Sequence, residues 1–350
     1  MITLGVSGGV DSSVCAVLLK EQGHNVRGVF MDNWEGNDPA CTSDKDRLDA
    51  LRVCASLDIP FSVRNFAQNY KEQVFKAFLD GYAQGTTPNP DILCNREVKF
   101  KVFLEDALAH GSDQIATGHY VRTAKKASTT LLLRGRDKSK DQSYFLHAVP
   151  HHALERSVFP LGDMLKSRVR LIAEKNNLVN AHKKDSTGIC FIGERDFKAF
   201  LSSYLPAQEG NITTLDGHVI GRHQGALYYT VGQAAPVGGV KGFAPEKWFI
   251  VEKCVKTNTL FATQDRMHPL LHKKELVSCD MHWVAGVAPS SKFDAEVQIR
   301  HLGEAIPAQC EVNDAGHLRA HLSTPHFAQA RGQYAVLYQG DVCLGGGEIT

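Results

Sequence analysis

Ser7-Gly8-Gly9-Val10-Asp11-Ser12-Ser13 places two adjacent glycines, a carboxylate and three hydroxyls directly after the short apolar run Ile2–Val6. Paired glycines let the backbone turn tightly and bring its N–H groups close to an anion. A helix starting at Asp11-Ser12-Ser13 adds hydroxyls and the positive end of its dipole. The chemistry this suits is phosphate binding. The loop is not of the Walker type, because G-x-x-x-x-G-K-[ST] is absent. A glycine-rich turn without a ligand is the plainer alternative, and the complete string after a strand argues against it. Asp11 beside a triphosphate would repel it unless Mg²⁺ stood between them; otherwise it is an acidic first-turn residue of a helix.

Two cysteines have unusual neighbours. Pro88-Asn89-Pro90-Asp91-Ile92-Leu93-Cys94-Asn95 sets Cys94 just before a predicted helix, with Arg96 and Lys99 downstream. A helix start and two cations favour thiolate over thiol, and Asp91 is placed to act as acid or base. Most cysteines are buried, but this polar, proline-braced frame makes burial a poor account of Cys94. Cys190 lies in Asp185-Ser186-Thr187-Gly188-Ile189-Cys190-Phe191-Ile192-Gly193, where apolar neighbours make a buried thiol a fair alternative. Lys183, Lys184 and the turn at Gly188 would instead help an exposed anion. Sequence alone does not pair the two.

These groups need a frame, and the first half of the chain supplies one. Strand-like runs at Ile2–Val6, Val26–Phe30, Phe61–Asn65 and Gln114–Thr117 alternate with helical stretches. The helices are read from about Asp11 to Gln22, from Ser43 to near Leu57, and over Tyr70–Leu79 and Lys99–His110, with capping-box spacing at Ser43-x-x-Asp46. Such alternation predicts an α/β, doubly wound parallel sheet whose ligands bind at the carboxyl ends of the strands. The glycine loop occupies that position. After about residue 205, short alternating stretches replace helices: Ala226–Val231, Trp248–Lys253, Thr259–Ala262, Glu275–Val277, Ala295–Ile299 and Tyr334–Tyr338. They read as a small β-rich domain and a terminal barrel or sandwich. Boundaries are expected near Pro206 and His268–Leu271, giving units 1–205, 206–267 and 268–350.

Composition narrows the class. At 350 residues, with 43% hydrophobic and 22% charged, the chain reads as a folded protein of two or three domains. No stretch approaches the roughly 18 apolar residues of a membrane span, and Met1–Val6 does not resemble a secretory signal. A cytoplasmic location is expected. Nine cysteines, none in C-x-x-C spacing, argue against a secreted disulfide framework and a zinc ribbon. With 39 basic and 38 acidic residues, global charge does not announce a nucleic-acid binder, although a local basic face would suffice.

The loop resembles the S-G-G-x-D-S signature of ATP-pyrophosphatases (PP-loop enzymes), which split ATP between the α and β phosphates. Together with GVFMDNW, TPNPDILCNREVKF, ATGHY, KDQSYFL, DSTGICFIGER and the final GDVCLGGG, it resembles the tRNA-specific 2-thiouridylase family, nearest its bacterial members, over almost the whole chain. The resemblance implies a PP-loop domain, a small central β domain and a C-terminal barrel contacting tRNA. It implies ATP-dependent 2-thiolation of the wobble uridine in tRNAs for Lys, Glu and Gln, with sulfur from a persulfide relay protein. The cysteine matching Cys190 would carry the persulfide, and the one matching Cys94 would resolve it as a transient Cys94–Cys190 disulfide forms. Gly5, Val6, Ser7, Gly8, Gly9, Val10, Asp11 and Ser12 would hold ATP, with Met31 and Gly118 at its adenine and ribose side. Mg²⁺ would accompany ATP, near Asp11. Asn89, Pro90 and Asp91 would meet the flipped target base. His119, Lys140, Asp141, Gln142, Arg300, His301 and Gln333 match tRNA-contact positions. Without the resemblance, Lys140 and Asp141 read as a solvated charge pair, His119 as a satisfied strand-end histidine, and Arg300-His301 as an ordinary exposed pair.

Two positions depart from the family pattern. Ala234 stands where an arginine follows Gly-Gln, and Leu302 where bacterial relatives usually carry another arginine. Each loss should lower the salt slope of tRNA binding by roughly one unit. Two other readings compete: another PP-loop adenylator, such as an amide-forming synthetase or a lysidine-type ligase, and a catalytically idle tRNA- or nucleotide-binding relative.

Overall fold

The computed structural model describes residues 1–34, 43–185 and 196–350. Strand β1 (Ile2–Gly5) is fully buried and lies at the centre of a five-stranded parallel sheet among the described residues. Val26–Asp32 and then Phe61–Asn65 extend the sheet to one side, and Gln114–Ala116 and Ser157–Val158 to the other. The chain reverses direction of growth at β1, so the carboxyl end of β1 is the switch point where such sheets open a crevice. Helix α1 (Val10–Glu21) starts there. Its faces explain its place: Val10, Val14, Val17 and Leu19 are all buried in the apolar layer shared with Leu4, Val26 and Val169.

The opposite face of the sheet carries a larger apolar layer built on Tyr70, Phe75, Phe78, Phe100, Phe103 and Ile115. Its helices run differently from expectation. Ala67–Ala83 is helical throughout but passes through a π-helical stretch at Lys71–Phe75. The helix predicted at Lys99–His110 begins much earlier, at Pro90, and is π-helical from Cys94 to Val102. π-Helical turns are rare and favour functional sites.

The second half is β-rich. Gly210–Thr213, Val219–His223, Phe249–Cys254 and Thr259–Thr263 form a small sheet over Ile212, Trp248, Ile250 and Leu260. Ala226–Val231 is not the strand its alternation suggests. Ala226–Tyr228 is a 3₁₀ turn, because Gly225 adopts φ +134° and Asn258 Oδ1 accepts the Ala226 N–H at 3.0 Å. The terminal unit is a closed antiparallel barrel, in which His272–Trp283 pairs with both Leu318–Phe327 and Val342–Ile349. Residues alternate inward and outward along its strands, most plainly in Ala305–Val312. The Val121–Lys126/Thr129–Arg134 hairpin, from the first half of the chain, extends this barrel sheet through Leu132 and Leu133. No helix among the described residues is long and apolar enough to cross a membrane.

Candidate active site

The glycine loop leaves β1 at the switch point and is held open by side chains from elsewhere. Gly8 has φ +74°, and a Cβ on it would stand 2.2 Å from the Asp46 carbonyl oxygen, so both conformation and space require glycine. Asn180 Nδ2 donates to Gly8 O at 2.9 Å and to Ser13 Oγ at 2.8 Å. Lys183 Nζ donates to the same carbonyl at 3.0 Å and pairs with Asp46 and Asp49. Ser12 Oγ accepts the Ser7 N–H at 3.1 Å and donates to Gly9 O at 3.1 Å. Helix α1 has Gly9 as its N-cap with no side-chain capping bond, which leaves first-turn N–H groups to a ligand. Gly118 packs against this turn, since a Cβ there would lie 3.0 Å from Ser12 N. Met31 reaches over bare Gly5, its Cε 3.1 Å from where a Gly5 Cβ would be. The structure thus gathers Gly5–Ser12, Met31 and Gly118 at one crevice.

An ionic hub flanks the loop. Asp11 accepts hydrogen bonds from Tyr120 Oη at 2.7 Å and from Lys166 Nζ at 2.7 and 2.8 Å. Lys166 also pairs with Asp185 at 2.7 Å, and Lys140 and Arg170 pair with Asp185 as well. Burial alone would raise the Asp185 carboxyl, but hydrogen bonds from Lys140 and Lys166 bring it down to about 2. Burial, with the Asp11 carboxylate beside it, pushes the Tyr120 phenol well above its ordinary value. Lys166 and Asn180 carry no motif, and Tyr120, although it ends the ATGHY string, is not among the site residues expected from sequence. Lys166 is separated from Asp11 by 155 positions, and no local signal exposes it. Asp11 is already compensated by this lysine, and no cluster of three metal-ligating side chains occurs among the described residues.

The second centre is the turn before Cys94. Asn89 Oδ1 accepts the Asp91 N–H at 3.2 Å and caps a helix with Pro90 in its first turn. Cys94 is therefore inside the helix rather than just before it, and it is 2% exposed within the Tyr70–Phe103 apolar layer. The expectation of an exposed thiol at a helix start is corrected: the four residues from Pro90 complete a turn first and rotate Cys94 inward. Arg96 pairs with Glu97. Burial raises the Asp91 carboxyl pKa, opposed by Lys99 and by His301 from the barrel. Cys190, with Ser186–Gly193, lies outside the described residues.

The matched tRNA positions fall into two groups. His119 is buried, with Nδ1 2.8 Å from Thr117 Oγ1, and burial, with Lys99 nearby, holds its pKa well below the ordinary value. Lys140 and Asp141 are not a solvated pair: Lys140 binds Asp185, whereas Asp141 is buried. Asp141 accepts from Arg134, the Gly135 N–H, and the Ser143 N–H and hydroxyl. Gln142 Oε1 accepts the Tyr120 N–H at 2.9 Å. Of these, Lys140 and Gln142 reach the hub directly, through Asp185 and Tyr120. Exposed Arg300 and half-buried Gln333, by contrast, line a cleft of about 330 Å³ with Thr230 and Gln233. His301 donates from Nε2 to Asp141 O at 2.8 Å, with its ring 4.3 Å from that of Phe145. Ala234 and Leu302 are both exposed, and Leu302 has φ +58°.

Comparison with known proteins agrees with this arrangement. Residues 1–194 match the tRNA methyl transferase HUP domain family, 198–264 the tRNA methyl transferase PRC-barrel domain, and 273–349 the aminomethyltransferase beta-barrel domain. The chain is 49% identical to the tRNA-specific 2-thiouridylase MnmA of Francisella philomiragia, covering 99% of this chain and 98% of that protein. It is 48% identical to the Chromohalobacter salexigens protein of the same name, covering 99% and 92%. Among solved structures, the NMN synthetase of Francisella tularensis aligns with 58% of this chain and 76% of its own, at 15% identity and a TM-score of 0.35. End-to-end similarity at this level, over all three folded units, places the chain in the tRNA-specific 2-thiouridylase MnmA family.

Proposed function

We propose that this chain uses ATP to replace the 2-oxygen of the wobble uridine of tRNA by sulfur, with tRNAs for Lys, Glu and Gln as substrates. The single observation that carries this reading is its 48–49% identity to 2-thiouridylases along its full length. The glycine loop supports the first half. Its crevice, bounded by Gly8, Gly118 and Met31, suits an adenine nucleotide with phosphates on the first turn of α1. A uridine oxygen is a poor leaving group, and transfer of the adenylyl group to it, with release of pyrophosphate, makes the leaving group AMP. Magnesium would arrive with the triphosphate, held mainly by phosphate and water; Asp11 could share it, in competition with Lys166.

The second half concerns Asn89, Pro90 and Asp91, which face the target base in this reading, and the two thiols. The terminal sulfur of a Cys190 persulfide, loaded by a sulfur-relay donor, attacks C2 and AMP leaves. The Cys94 thiolate then attacks the Cys190 sulfur, so that a Cys94–Cys190 disulfide forms and the thiocarbonyl is released. Asp91, whose carboxyl pKa burial raises above its ordinary value, is suited to move a proton at the uridine. Buried Cys94 must be uncovered for its step, which makes base binding the natural trigger. Residues 1–205 form the catalytic unit in this scheme, while 206–267 and 268–350 seat tRNA, with Arg300, His301 and Gln333 nearest.

The test is AMP and 2-thiouridine formation from ATP, unmodified tRNA and a persulfide donor. Thiolation retained by Cys190→Ser would remove the persulfide assignment. Binding of tRNA without pyrophosphate release would favour the idle relative.

A further inference from the structure

Residues 85–88 lead into the Asn89–Asp91 turn, and both β-rich units grip them. From the barrel, Arg331 O accepts the Thr87 N–H at 2.8 Å, and Gln333 Nε2 donates to Thr87 O at 2.9 Å. Gly332 is so close that a Cβ on it would stand 2.7 Å from Thr87 N. From the middle unit, Thr230 Oγ1 lies 3.1 Å from Thr87 Oγ1, and Val255 Cγ2 would be 2.7 Å from a Cβ on Gly85. The strap is thus registered against two other folded units immediately before the turn.

Lys253 is the unusual group in this junction. It is the penultimate residue of the strand Phe249–Cys254, and its Nζ donates to Tyr229 O at 2.7 Å and stands 3.5 Å from Thr86 O. It forms no ion pair among the described residues, and burial pushes its pKa down to about 8. A half-buried cation without a counter-charge nearby is costly, so its stability here depends on these carbonyls. An ammonium has three donors and can serve acceptors from two units at once. A hydrocarbon side chain would fill the space but would not fix the distance from Tyr229 to Thr86.

We propose that Lys253 is a positioning residue for the base-binding turn: it pins the Thr86–Thr87 strap to the middle unit, so that docking of the β-rich units sets where Asn89, Pro90 and Asp91 stand. This rests on the reading of that turn as the one that meets the target uridine. Among the described residues no hydrogen bond joins the nucleotide loop to the strap. Loss of the pin should therefore slow chemistry on tRNA without weakening ATP.

The experiment compares wild type, Lys253→Met, Lys253→Arg and Thr87→Val as full chains with ATP, unmodified tRNA and a persulfide donor. Lys253→Met should lower kcat for 2-thiouridine formation by about tenfold to a hundredfold, the scale of a small misplacement of a reacting group. Its KM for ATP and its thermal midpoint should stay near wild type, and Lys253→Arg should recover most of the loss. Thr87→Val, which removes the hydroxyl link to Thr230, should show the same split more weakly and covers the case in which Lys253→Met folds poorly. Unchanged kcat in both Lys253→Met and Thr87→Val overturns the proposal. So does a parallel loss of kcat, ATP affinity and thermal stability without recovery by arginine. A wild type that forms no 2-thiouridine overturns the underlying reading, which separates the two failures.

Discussion

The nucleotide loop and the cysteine turn are built on opposite plans. The loop is open and polar, its backbone fixed by Asn180 and Lys183 and its carboxylate, Asp11, compensated by Lys166. The turn is closed: Cys94 is 2% exposed and belongs to an aromatic layer, with Asp91 half-buried above it. The contrast teaches that the two halves of the reaction are guarded differently. An anion-binding loop works best preorganised, because its N–H groups must point at phosphate before it arrives. A thiol that would react with any oxidant is better hidden until substrate uncovers it. In the proposed reaction, preorganisation serves activation and burial serves the sulfur step.

The sharpest way to break this comparison is to remove chemistry from the closed half. Cys94→Ser and Asp91→Asn should each lower 2-thiouridine formation by about a thousandfold or more, while Cys94→Ser still releases pyrophosphate in the presence of tRNA. Asp91→Asn should at the same time stabilise the fold. Burial raises the Asp91 pKa, so the folded state holds its proton more tightly than the unfolded chain. The ionised form therefore costs stability above the unfolded value, and asparagine avoids that cost. Urea unfolding at neutral pH checks this, and a less stable Asp91→Asn variant would contradict it.

The two halves should also fail at different pH. Burial lowers His147 to about 4, and its Nε2 has no hydrogen-bond partner among the described residues while Nδ1 donates to Tyr144 O at 2.8 Å. The unfolded chain takes up this proton first, so stability should fall between about pH 6.5 and 4, by up to about 3 kcal/mol. His147→Asn should flatten that slope in denaturation curves. Asp185 near the loop is held down to about 2. Its contribution is complete above the unfolded value and lost as pH falls toward 2. With its side chain 29% exposed, that loss should be about 1 kcal/mol after screening. Asp185→Asn should remove only this more acidic step.

A substitution in the open half should act through the ligand. Gly8→Ala meets both φ +74° and the Asp46 carbonyl; it should cost about 1–3 kcal/mol of local strain and raise the KM for ATP by about tenfold or more. Unchanged ATP kinetics would show that the loop is not the nucleotide site. The smallest effect is expected at the rim. Leu302→Arg, on an exposed turn, should steepen the salt dependence of tRNA binding by about one unit, measured by titration at several salt concentrations.

Much of this was legible without coordinates, and the pattern of what was not has a cause. The loop, its strand and helix α1 are contiguous, so local spacing of glycine, hydroxyl and apolar residues contains them. The frame around Cys94 was legible as well, but its burial was not. Whether a helix residue faces solvent depends on where the first turn starts, and Asn89 with Pro90 starts it nine residues earlier than the Lys99 that hydrophobic spacing suggests. Ala226–Tyr228 misled for a related reason: alternation predicts a strand, and a glycine conformation with a distant asparagine overrules it.

By itself the sequence determined the open half: a strand, a tight glycine turn and a helix start, all within reach of local backbone physics. It also determined the family, through strings dispersed along the whole chain. Tertiary structure alone decided which groups meet. Lys166 reaches Asp11 across 155 positions, and Gln333 reaches Thr87 across 246. Sheet order, barrel closure and domain docking set those meetings. They arise from packing between faces whose hydrophobic pattern fixes that they must be covered, but not by which partner.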